Sequence, residues 1–510
     1  MSGAAIALSL CCASAMAADG QRWFDGQKPR IQARQAVELL TTSSTHGLEP
    51  QDYNASALRE AVSAAMKGAA PPPAAIARLE QALTTAMERY LSDLHRGRVD
   101  PQKIRHNFSP KRDAFDAGAY LQAALAAKRL PQAAFEAAPD LPQYGQLRSA
   151  LARYRQQADD PAWDKPLPPL PRGKLAPGQA YAGLALLTQR LIVLGDLDEG
   201  TPVPASYKGA LVEAVKSFQK RHGLVGGEGV IGKATLAQLQ VSPDARARQI
   251  ELALERLRWT PLRQGPRMIV INLPEFVLRA YQAQGDSIEV QQEMKVVVGK
   301  ALDTRTPLFD EQMRFIEFSP YWNVPPSILR GELVPKLRRD PGYLKKEGME
   351  FVAPDGTVSS EVTPARLEAA LAGKLRIRQR PGPKNALGDI KFVFPNSDNI
   401  YLHHTPATQL FERDRRDFSH GCIRVEEPAA LAKFVLSNQP QWTEQRIKKA
   451  MSKGESFTLK LAEPVPVLIT YGTARVQGGQ TYFFEDIYGL DRLLDNALRQ
   501  RSRQLSASRD

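Results

Sequence analysis

The sequence predicts a multidomain α+β protein with a helical N-terminal scaffold, a three-helix module and a mostly β domain that carries an inserted subdomain. Three observations support this fold class. Apolar residues repeat every three or four positions before residue 260, and short β-branched and aromatic runs replace that pattern after residue 265. Proline-rich stretches divide the helical half, and a long segment without strand signal interrupts the β half. At 510 residues the chain is long enough for roughly three domains.

The first twenty residues, MSGAAIALSLCCASAMAADG, predict a secretory signal peptide. Residues 1–17 carry no charged side chain, and their apolar run ends in the small-residue pattern Ala-Met-Ala. We expect export to the periplasm with cleavage near Ala17, although no Lys or Arg precedes the apolar run. Cleavage would remove Cys11 and Cys12, so that Cys422 is the one remaining thiol and no internal disulfide forms. No later apolar run is long enough to span a membrane, so no transmembrane anchor is expected.

Residues 18–160 predict a helical scaffold domain. One apolar stripe in AIARLEQALTTAMERYLSDLH steps by three or four residues, which is typical of an amphipathic helix. Its members are Ile76, Leu79, Leu83, Met87, Tyr90 and Leu94. The proline-rich residues 161–177 are interpreted as a linker.

Residues 178–241 predict a compact module of three helices. Leucines at 184, 187, 191 and 194 form one stripe, and Leu211, Val215 and Phe218 form a second that ends near Gly223. The segment AVKSFQKRHGLVGGEGVIGKATLAQL closely resembles the peptidoglycan-binding domain-1 family, a module that binds cell-wall polymer. The alternative is a structural module that has lost wall binding. Residues 242–264 predict a connecting helix that begins at Ser242-Pro243.

Residues 265–470 predict the β-rich domain. Its short runs, separated by turn-forming residues, are RMIVINL, FVLRAYQ, IEVQQEMKVVVG, MRFIEFS, IKFVF and NIYLH. Between about residues 325 and 383 a basic segment interrupts the strands, either as a decorated loop or as a small capping subdomain, and insertions of this kind often act as lids. Residues 471–510 form a C-terminal segment without assignment.

Composition narrows the function classes. The chain is 43% hydrophobic and 24% charged, which is typical of a folded globular protein. Its formal charge of +13 favours a polyanionic partner, or else reflects basic residues spread over solvated surfaces. No interleaved Arg/aromatic repeat or nucleic-acid motif is present, so nucleic acid is not an expected partner.

The stretch YLHHTPATQLFERDRRDFSHGCIRV, residues 401–425, surrounds Cys422 with three histidines. A metal site, a redox switch, a nucleophile and a buried thiol are the alternatives. Because side chains alternate across a strand, His403 and His404 should point in opposite directions. No CxxC or HExxH spacing is present, so neither a metal nor another cofactor is predicted.

The nucleophile hypothesis needs a thiol, a base within hydrogen-bond reach and N–H groups aimed at a developing oxyanion. The SHGC turn supplies the thiol and the N–H groups of Gly421 and Cys422. A free thiol needs a neighbouring imidazole to ionise near neutral pH, and His403 and His420 are the candidates. The residues alone do not choose between these two histidines.

The pattern H-x-T-P followed by S-H-G-C-I-R resembles the catalytic domain of the L,D-transpeptidases, often called YkuD. The resemblance extends to FSPYWNVPPSI (318–328), GPKNALGDIKFVFPN (382–396) and NIYLHHTP. With the helical scaffold and the wall-binding module ahead of this domain, the chain resembles the long, YcbB-like subfamily throughout its mature length.

This resemblance implies roles for individual residues. Cys422 is the expected nucleophile and His403 the proton donor and acceptor, because the subfamily does not require a histidine before the Gly-Cys pair. The backbone carbonyl of His404 is expected to orient the His403 imidazole. Backbone N–H groups at 420–422, including those of His420 and Gly421, are expected to form the oxyanion hole.

The resemblance also implies a substrate site and an activity. Arg424 matches a substrate-binding position, Tyr401 and Trp322 are expected to wall the pocket or else to belong to the core, and Asn385 is a further candidate. The implied reaction joins two diaminopimelate residues in a 3→3 cross-link and releases D-Ala, with peptidoglycan stem peptides and glycan as partners beside other wall-synthesis proteins. L,D-carboxypeptidase activity, protein attachment and non-catalytic wall binding are the alternatives.

Overall fold

The computed structural model describes residues 22–68, 71–104, 114–224, 227–260, 265–285, 287–301 and 304–508. The predicted signal peptide and its cleavage position at Ala17 lie outside these residues. The chain divides into two compact units. Of the described residues, the first unit contains those before Leu262 and those from Gly472 onward, and the second contains those within Leu262–Tyr471.

The first unit opens with a helical scaffold that follows a short ribbon of two strands, β1 (Phe24–Asp25) and β2 (Lys28–Pro29). Its helices are α1 (Ile31–Thr41), α2 (Ala55–Lys67), α3 (Pro73–Arg96), α4 (Ala117–Ala126), α5 (Leu130–Ala137) and α6 (Pro142–Gln157). The predicted apolar stripe lies on α3, where Leu79 is half-buried and the other members are buried in the scaffold core. The 3.6-residue period therefore identified the correct packing face.

The module that follows has the three predicted helices, α7 (Leu184–Val193), α8 (Ala210–Arg221) and α9 (Lys233–Leu239). The connecting helix α10 (Pro243–Trp259) begins as predicted, because the Ser242 hydroxyl accepts a hydrogen bond from the Ala245 N–H. The structure changes the predicted boundary between the linker and the module. Leu167 and Leu175, from the predicted linker, are buried in the core of the module. Leu175 also forms a β-bridge with Ile231, so this part of residues 161–177 belongs to the module.

The second unit begins with four strands, β3 (Arg267–Asn272), β4 (Val277–Gln284), β5 (Ser287–Gly299) and β6 (Phe309–Phe318). The predicted insertion then folds as a subdomain with the strands β8 (Met349–Val352), β9 (Val358–Ser359) and β10 (Arg376–Gln379), and its sheet also includes β7 (Trp322–Asn323), just before the predicted start near residue 325. Its helices are α11 (Pro326–Ile328), a π-helical turn (Leu329–Leu333), α12 (Val334–Arg339), α13 (Gly342–Lys346) and α14 (Pro364–Leu371). These elements enclose their own apolar core. The insertion is therefore a folded subdomain, and we name it the capping subdomain.

The remaining elements of the second unit are β11 (Ile390–Val393), β12 (Leu402–His403), β13 (Asp417–Ser419), β14 (Ile423–Val425), α15 (Pro428–Val435), α16 (Glu444–Ser452) and β15 (Phe457–Thr470). The main sheet has the order β13-β5-β14-β12-β11-β6-β15-β3-β4, and an additional pairing of β4 with β5 closes it on itself. The short strands β11, β12 and β14 thus lie side by side in its middle, where they carry or adjoin the predicted catalytic motifs.

The C-terminal segment returns to the first unit. It forms a hairpin of β16 (Ala474–Gln477) and β17 (Gln480–Phe483) and a final helix, α17 (Leu490–Ala507). Phe483 packs in one cluster with residues of α6 and α10. Arg501 on α17 donates to both carboxylate oxygens of Asp93 on α3, each at 2.8 Å. The helical unit is therefore completed by residues that follow the catalytic unit in the chain.

Among the described helices, none has both the length and the apolar character that crossing a bilayer requires.

Candidate active site

The register of three neighbouring strands brings the predicted catalytic residues together. In the parallel pair of β12 and β14, Leu402 lies opposite Ile423 and His403 opposite Arg424. Leu402 and Ile423 are fully buried and point into the core. Because neighbours along a strand face opposite sides, Tyr401, His403, Cys422 and Arg424 share the other face of the sheet. We call this face the catalytic face.

Cys422 is a free, partly exposed cysteine at the start of β14. Burial raises the pKa of its thiol, and hydrogen bonds from the Tyr401 main chain and phenol, with the charges of Lys391 and Arg424, only partly offset that effect. The sulfur also lies 3.7 Å from the main-chain oxygen of Asn399. The thiol therefore rests protonated near neutral pH and needs a base when it reacts.

His403 supplies a neutral imidazole on the same face. Its Nδ1 lies 2.5 Å from the main-chain oxygen of His404, and since a carbonyl can only accept, Nδ1 carries the proton. Burial, followed by the charge of Arg424, lowers the pKa of His403 to about 3. The neutral ring leaves Nε2 as a hydrogen-bond acceptor, so His403 has the protonation state that a general base requires.

The His404 side chain points away from His403, as strand alternation predicted. Its Nδ1 lies 2.7 Å from Asp389 Oδ1. Gly388, with φ of +64°, packs against the ring, and an added Cβ there would lie 2.6 Å from His404 Nδ1. Within the described residues, no group of three or more His, Cys, Asp or Glu side chains could hold a metal ion.

Hydrogen bonds from two hydroxyl groups hold the SHGC turn in place. Ser419 Oγ donates to the Cys422 oxygen at 2.6 Å and accepts from the Gly421 N–H at 3.1 Å. Thr306 Oγ1 donates to the Gly421 oxygen at 2.7 Å. This geometry corrects one expectation, because the Gly421 N–H is engaged inside the turn and is not free to bind an oxyanion. The N–H groups of His420 and Cys422 bond to none of the described residues and remain the candidate donors.

Arg424 presents a guanidinium group with unused hydrogen-bonding capacity. Its Nε is buried and has no hydrogen-bond partner among the described residues. Burial lowers the pKa of its side chain, yet a guanidinium stays charged at neutral pH. A carboxylate placed on the catalytic face would satisfy this group.

The capping subdomain contacts the SHGC turn through a hydrogen bond. His420 Nε2 lies 2.6 Å from the Oε1 of Glu332, which belongs to the π-helical turn. This contact engages the His420 side chain with the subdomain. No local pattern indicated Glu332, because its partner lies 88 positions away in the chain.

Trp322 and Asn385 are the two remaining predicted substrate contacts, and for Trp322 the structure favours the core alternative. Trp322 is half-buried and packs against the core of the capping subdomain. Asn385 is 1% exposed, and its amide nitrogen donates to the main-chain oxygens of Pro320 and Arg380, both at 3.0 Å. Its side-chain oxygen accepts from the Leu387 N–H at 2.8 Å. We therefore assign Asn385 to holding its loop in place of the substrate contact expected from the sequence.

The sequence analysis did not identify two residues of the catalytic face, Lys391 and Glu317. Lys391 on β11 lies opposite both His403 on β12 and Glu317 on β6. Its Nζ is 3.1 Å from Glu317 Oε2 and 4.4 Å from the centre of the Tyr401 ring. A lysine inside the otherwise apolar run IKFVF was the available signal.

Comparisons with known proteins agree with this geometry. Residues 266–465 match the family of the L,D-transpeptidase catalytic domain, YkuD. Residues 19–151 match the "Scaffold domain" family, and residues 182–239 match a "Putative peptidoglycan binding domain". A protein of Haemophilus influenzae named "Putative L,D-transpeptidase" is 34% identical over 232 residues, which are 45% of this chain and 45% of that protein. The similarity to this relative thus spans less than half of its length.

The catalytic face and the matched families lead to one conclusion. Residues 266–465 form an L,D-transpeptidase catalytic domain of the YkuD type, in a chain that also carries a scaffold domain and a peptidoglycan-binding domain.

Proposed function

We propose that the protein is an L,D-transpeptidase that joins peptidoglycan stem peptides by 3→3 cross-links through a thioester on Cys422. The observation that carries this proposal is the catalytic face, where a protonated thiol, a neutral imidazole and a free arginine group lie on adjoining strands. The match of residues 266–465 supports the same reaction class.

In the first step the Cys422 sulfur attacks the carbonyl at the L-centre of diaminopimelate in a donor tetrapeptide. The thiol proton passes to Nε2 of His403, which is the free acceptor of the neutral ring. The N–H groups of Cys422 and His420 stabilise the negative charge that develops on the carbonyl oxygen. The tetrahedral species then breaks its bond to D-Ala, whose amine takes the proton from His403, and a thioester remains.

In the second step the side-chain amine of a diaminopimelate on another stem attacks the thioester carbonyl. His403 takes a proton from the amine and returns it to the departing sulfur, which restores the thiol. The products are a new amide bond and the starting enzyme. Water in place of the amine would instead release a tripeptide, so that the same site would act as a carboxypeptidase.

Arg424 and the capping subdomain fit a carboxylate-rich peptide substrate. The unpartnered Nε of Arg424 can bind a stem carboxylate beside the reacting carbonyl. Glu332 ties the subdomain to the nucleophile turn, which suits a lid that excludes water from the thioester. Tyr401 lies on the same face, and hydrogen bonding by its phenol acts to lower the pKa of the Cys422 thiol.

We further propose that the protein works in the periplasm after removal of residues 1–17, and that the module at residues 182–239 binds wall polymer. Its partners would be peptidoglycan stem peptides and glycan, together with other wall-synthesis proteins. The assignment to the YcbB-like subfamily rests on the order of the domains along the chain.

The decisive experiment incubates the purified protein with peptidoglycan sacculi rich in tetrapeptide stems, and then separates and weighs the muropeptides. We expect dimers joined through two diaminopimelate residues and release of D-Ala, both lost in Cys422→Ala. Tripeptides without dimers would identify a carboxypeptidase, and a protein-linked stem would identify an attachment enzyme. Unchanged sacculi with retained binding would identify a non-catalytic wall-binding protein and refute the proposal.

A further inference from the structure

Four charged or titratable side chains form one row across the catalytic face. Glu317 on β6 lies opposite Lys391 on β11, Lys391 lies opposite His403 on β12, and His403 lies opposite Arg424 on β14. Residues that are opposite each other on neighbouring strands project from the same face of a sheet. The row therefore runs directly past the position of Cys422, and Lys391 stands in its middle.

Lys391 is held in place from two sides. Its side chain is 17% exposed, and Glu317 provides the carboxylate that balances its charge, with 3.1 Å between Nζ and Oε2. On its other side the ammonium group lies over the ring of Tyr401, 4.4 Å from the ring centre. A cation over an aromatic face is attracted by the ring quadrupole, and the attraction grows as water is excluded. Lys391 therefore restrains the orientation of the Tyr401 ring.

Tyr401 connects this lysine to both reacting groups. Hydrogen bonding by its phenol and its main chain acts to lower the pKa of the Cys422 thiol. Its ring meets the His403 ring edge-on, with 5.8 Å between ring centres. A shift of the Tyr401 ring would therefore disturb the thiol and the imidazole together.

The charged groups on this face determine the electrostatic potential at the Cys422 sulfur. Lys391 and Arg424 place positive charge toward Cys422, and Glu317 balances part of the charge of Lys391. His403 is neutral and contributes no net charge. Arg424 is assigned to the substrate, so a bound carboxylate would neutralise it during the reaction. Lys391 then remains as a positive group that can stabilise the Cys422 thiolate.

We propose that Lys391 is a positioning residue of the active site: held between Glu317 and the Tyr401 ring, it fixes Tyr401 against the Cys422 sulfur and favours the thiolate by its charge. This inference rests on the proposed function only in taking Cys422 as the nucleophile. The competing explanation is a cross-strand ion pair that stabilises the sheet and leaves the thiol unaffected.

The test measures the reactivity of the thiol without any peptidoglycan substrate. Cys422 is the one cysteine beyond residue 12, so the rate of its alkylation by iodoacetamide can be followed on a single peptide between pH 6 and 10. Lys391→Met removes the charge, Lys391→Arg keeps it, and Lys391→Gln is a second neutral variant. Lys433→Met is the matched control, since Lys433 forms an exposed ion pair with Glu444 at 3.3 Å.

We expect both neutral variants to raise the apparent thiol pKa by roughly half to one unit, which lowers the alkylation rate at neutral pH about three- to tenfold. Lys391→Arg and Lys433→Met should follow the wild-type pH profile. The inference is overturned if folded Lys391→Met or Lys391→Gln, checked by circular dichroism, gives the wild-type profile. Because alkylation needs no stem peptide, absence of cross-linking activity would leave this result interpretable.

Discussion

Thr306 is a small side chain that links the nucleophile turn to the end of strand β5. It is 1% exposed, and its Oγ1 accepts from the Gly299 N–H at 2.9 Å and donates to the Gly421 oxygen at 2.7 Å. Thr306→Val replaces the hydroxyl with a methyl group of similar shape and leaves both main-chain groups without this partner. Each buried group deprived of its partner costs about 1–3 kcal/mol. Counting the Gly421 oxygen alone, we expect the turn to lose about 1–3 kcal/mol of local stability, a factor of roughly five to a hundred and fifty in its opening equilibrium.

The matched variant Thr306→Ser keeps the hydroxyl and loses only one methyl group, which costs roughly 1 kcal/mol. Hydrogen exchange of peptides spanning residues 417–425, followed by mass spectrometry, measures opening of the turn directly. Acylation of Cys422 by a β-lactam, followed by intact-mass spectrometry, reports how opening of the turn affects the reactivity of Cys422. If Thr306→Ser exchanges as fast as Thr306→Val, methyl packing and not hydrogen bonding by Thr306 holds the turn, and the prediction is wrong. Wild-type exchange in Thr306→Val would refute it as well.

Three further predictions concern the same unit. A carbapenem should add covalently to the wild-type protein and not to Cys422→Ala, and intact-mass spectrometry showing an adduct on the variant would reveal a different nucleophile. Glu332→Gln weakens the hydrogen bond with His420, so hydrogen exchange in residues 326–346 should become faster than in the control Glu368→Gln, which removes an exposed pair of the same subdomain. The pKa of His403 is about 3 in the folded protein and near 6.5 in the unfolded chain. Between pH 3 and pH 6.5 the unfolded chain therefore binds more protons than the folded protein. The free energy of unfolding should thus fall as pH drops from 6.5 toward 3. In His403→Gln this pH dependence of the free energy of unfolding, measured by urea denaturation, should be shallower, and an unchanged slope would show that His403 does not cause it.

Local patterns in the sequence were sufficient for the packing face of α3, for the start of α10 and for the direction of side chains along single strands. The stripe on α3 and the Ser242 cap follow from rules that act within a few residues, and both are present. The divergence of His403 and His404 follows from strand alternation and is also present. These features needed no knowledge of distant partners.

Features that depend on pairing between distant segments were not predictable in the same way. Lys391 joins the catalytic face only because β11 lies between β6 and β12 in one particular register. The Gly421 N–H was misassigned because the Ser419 hydroxyl competes for it inside the turn, which a residue pattern does not reveal. Leu167 and Leu175 lie in a proline-rich stretch, yet the module core buries them because it offers apolar space there.

The return of the C-terminal segment to the helical unit affects the order in which the protein can fold during synthesis. A ribosome that has released residues only as far as Tyr471 has delivered the whole second unit, whereas the first unit still lacks its hairpin and α17. Until Arg501 emerges, the buried carboxylate of Asp93 has the Tyr53 hydroxyl, 2.9 Å away, but not the guanidinium group that balances its charge. The part of the chain that is made first is therefore finished last. A premature stop after Tyr471 would leave every segment of the second unit present and would remove the hairpin and α17 from the first unit.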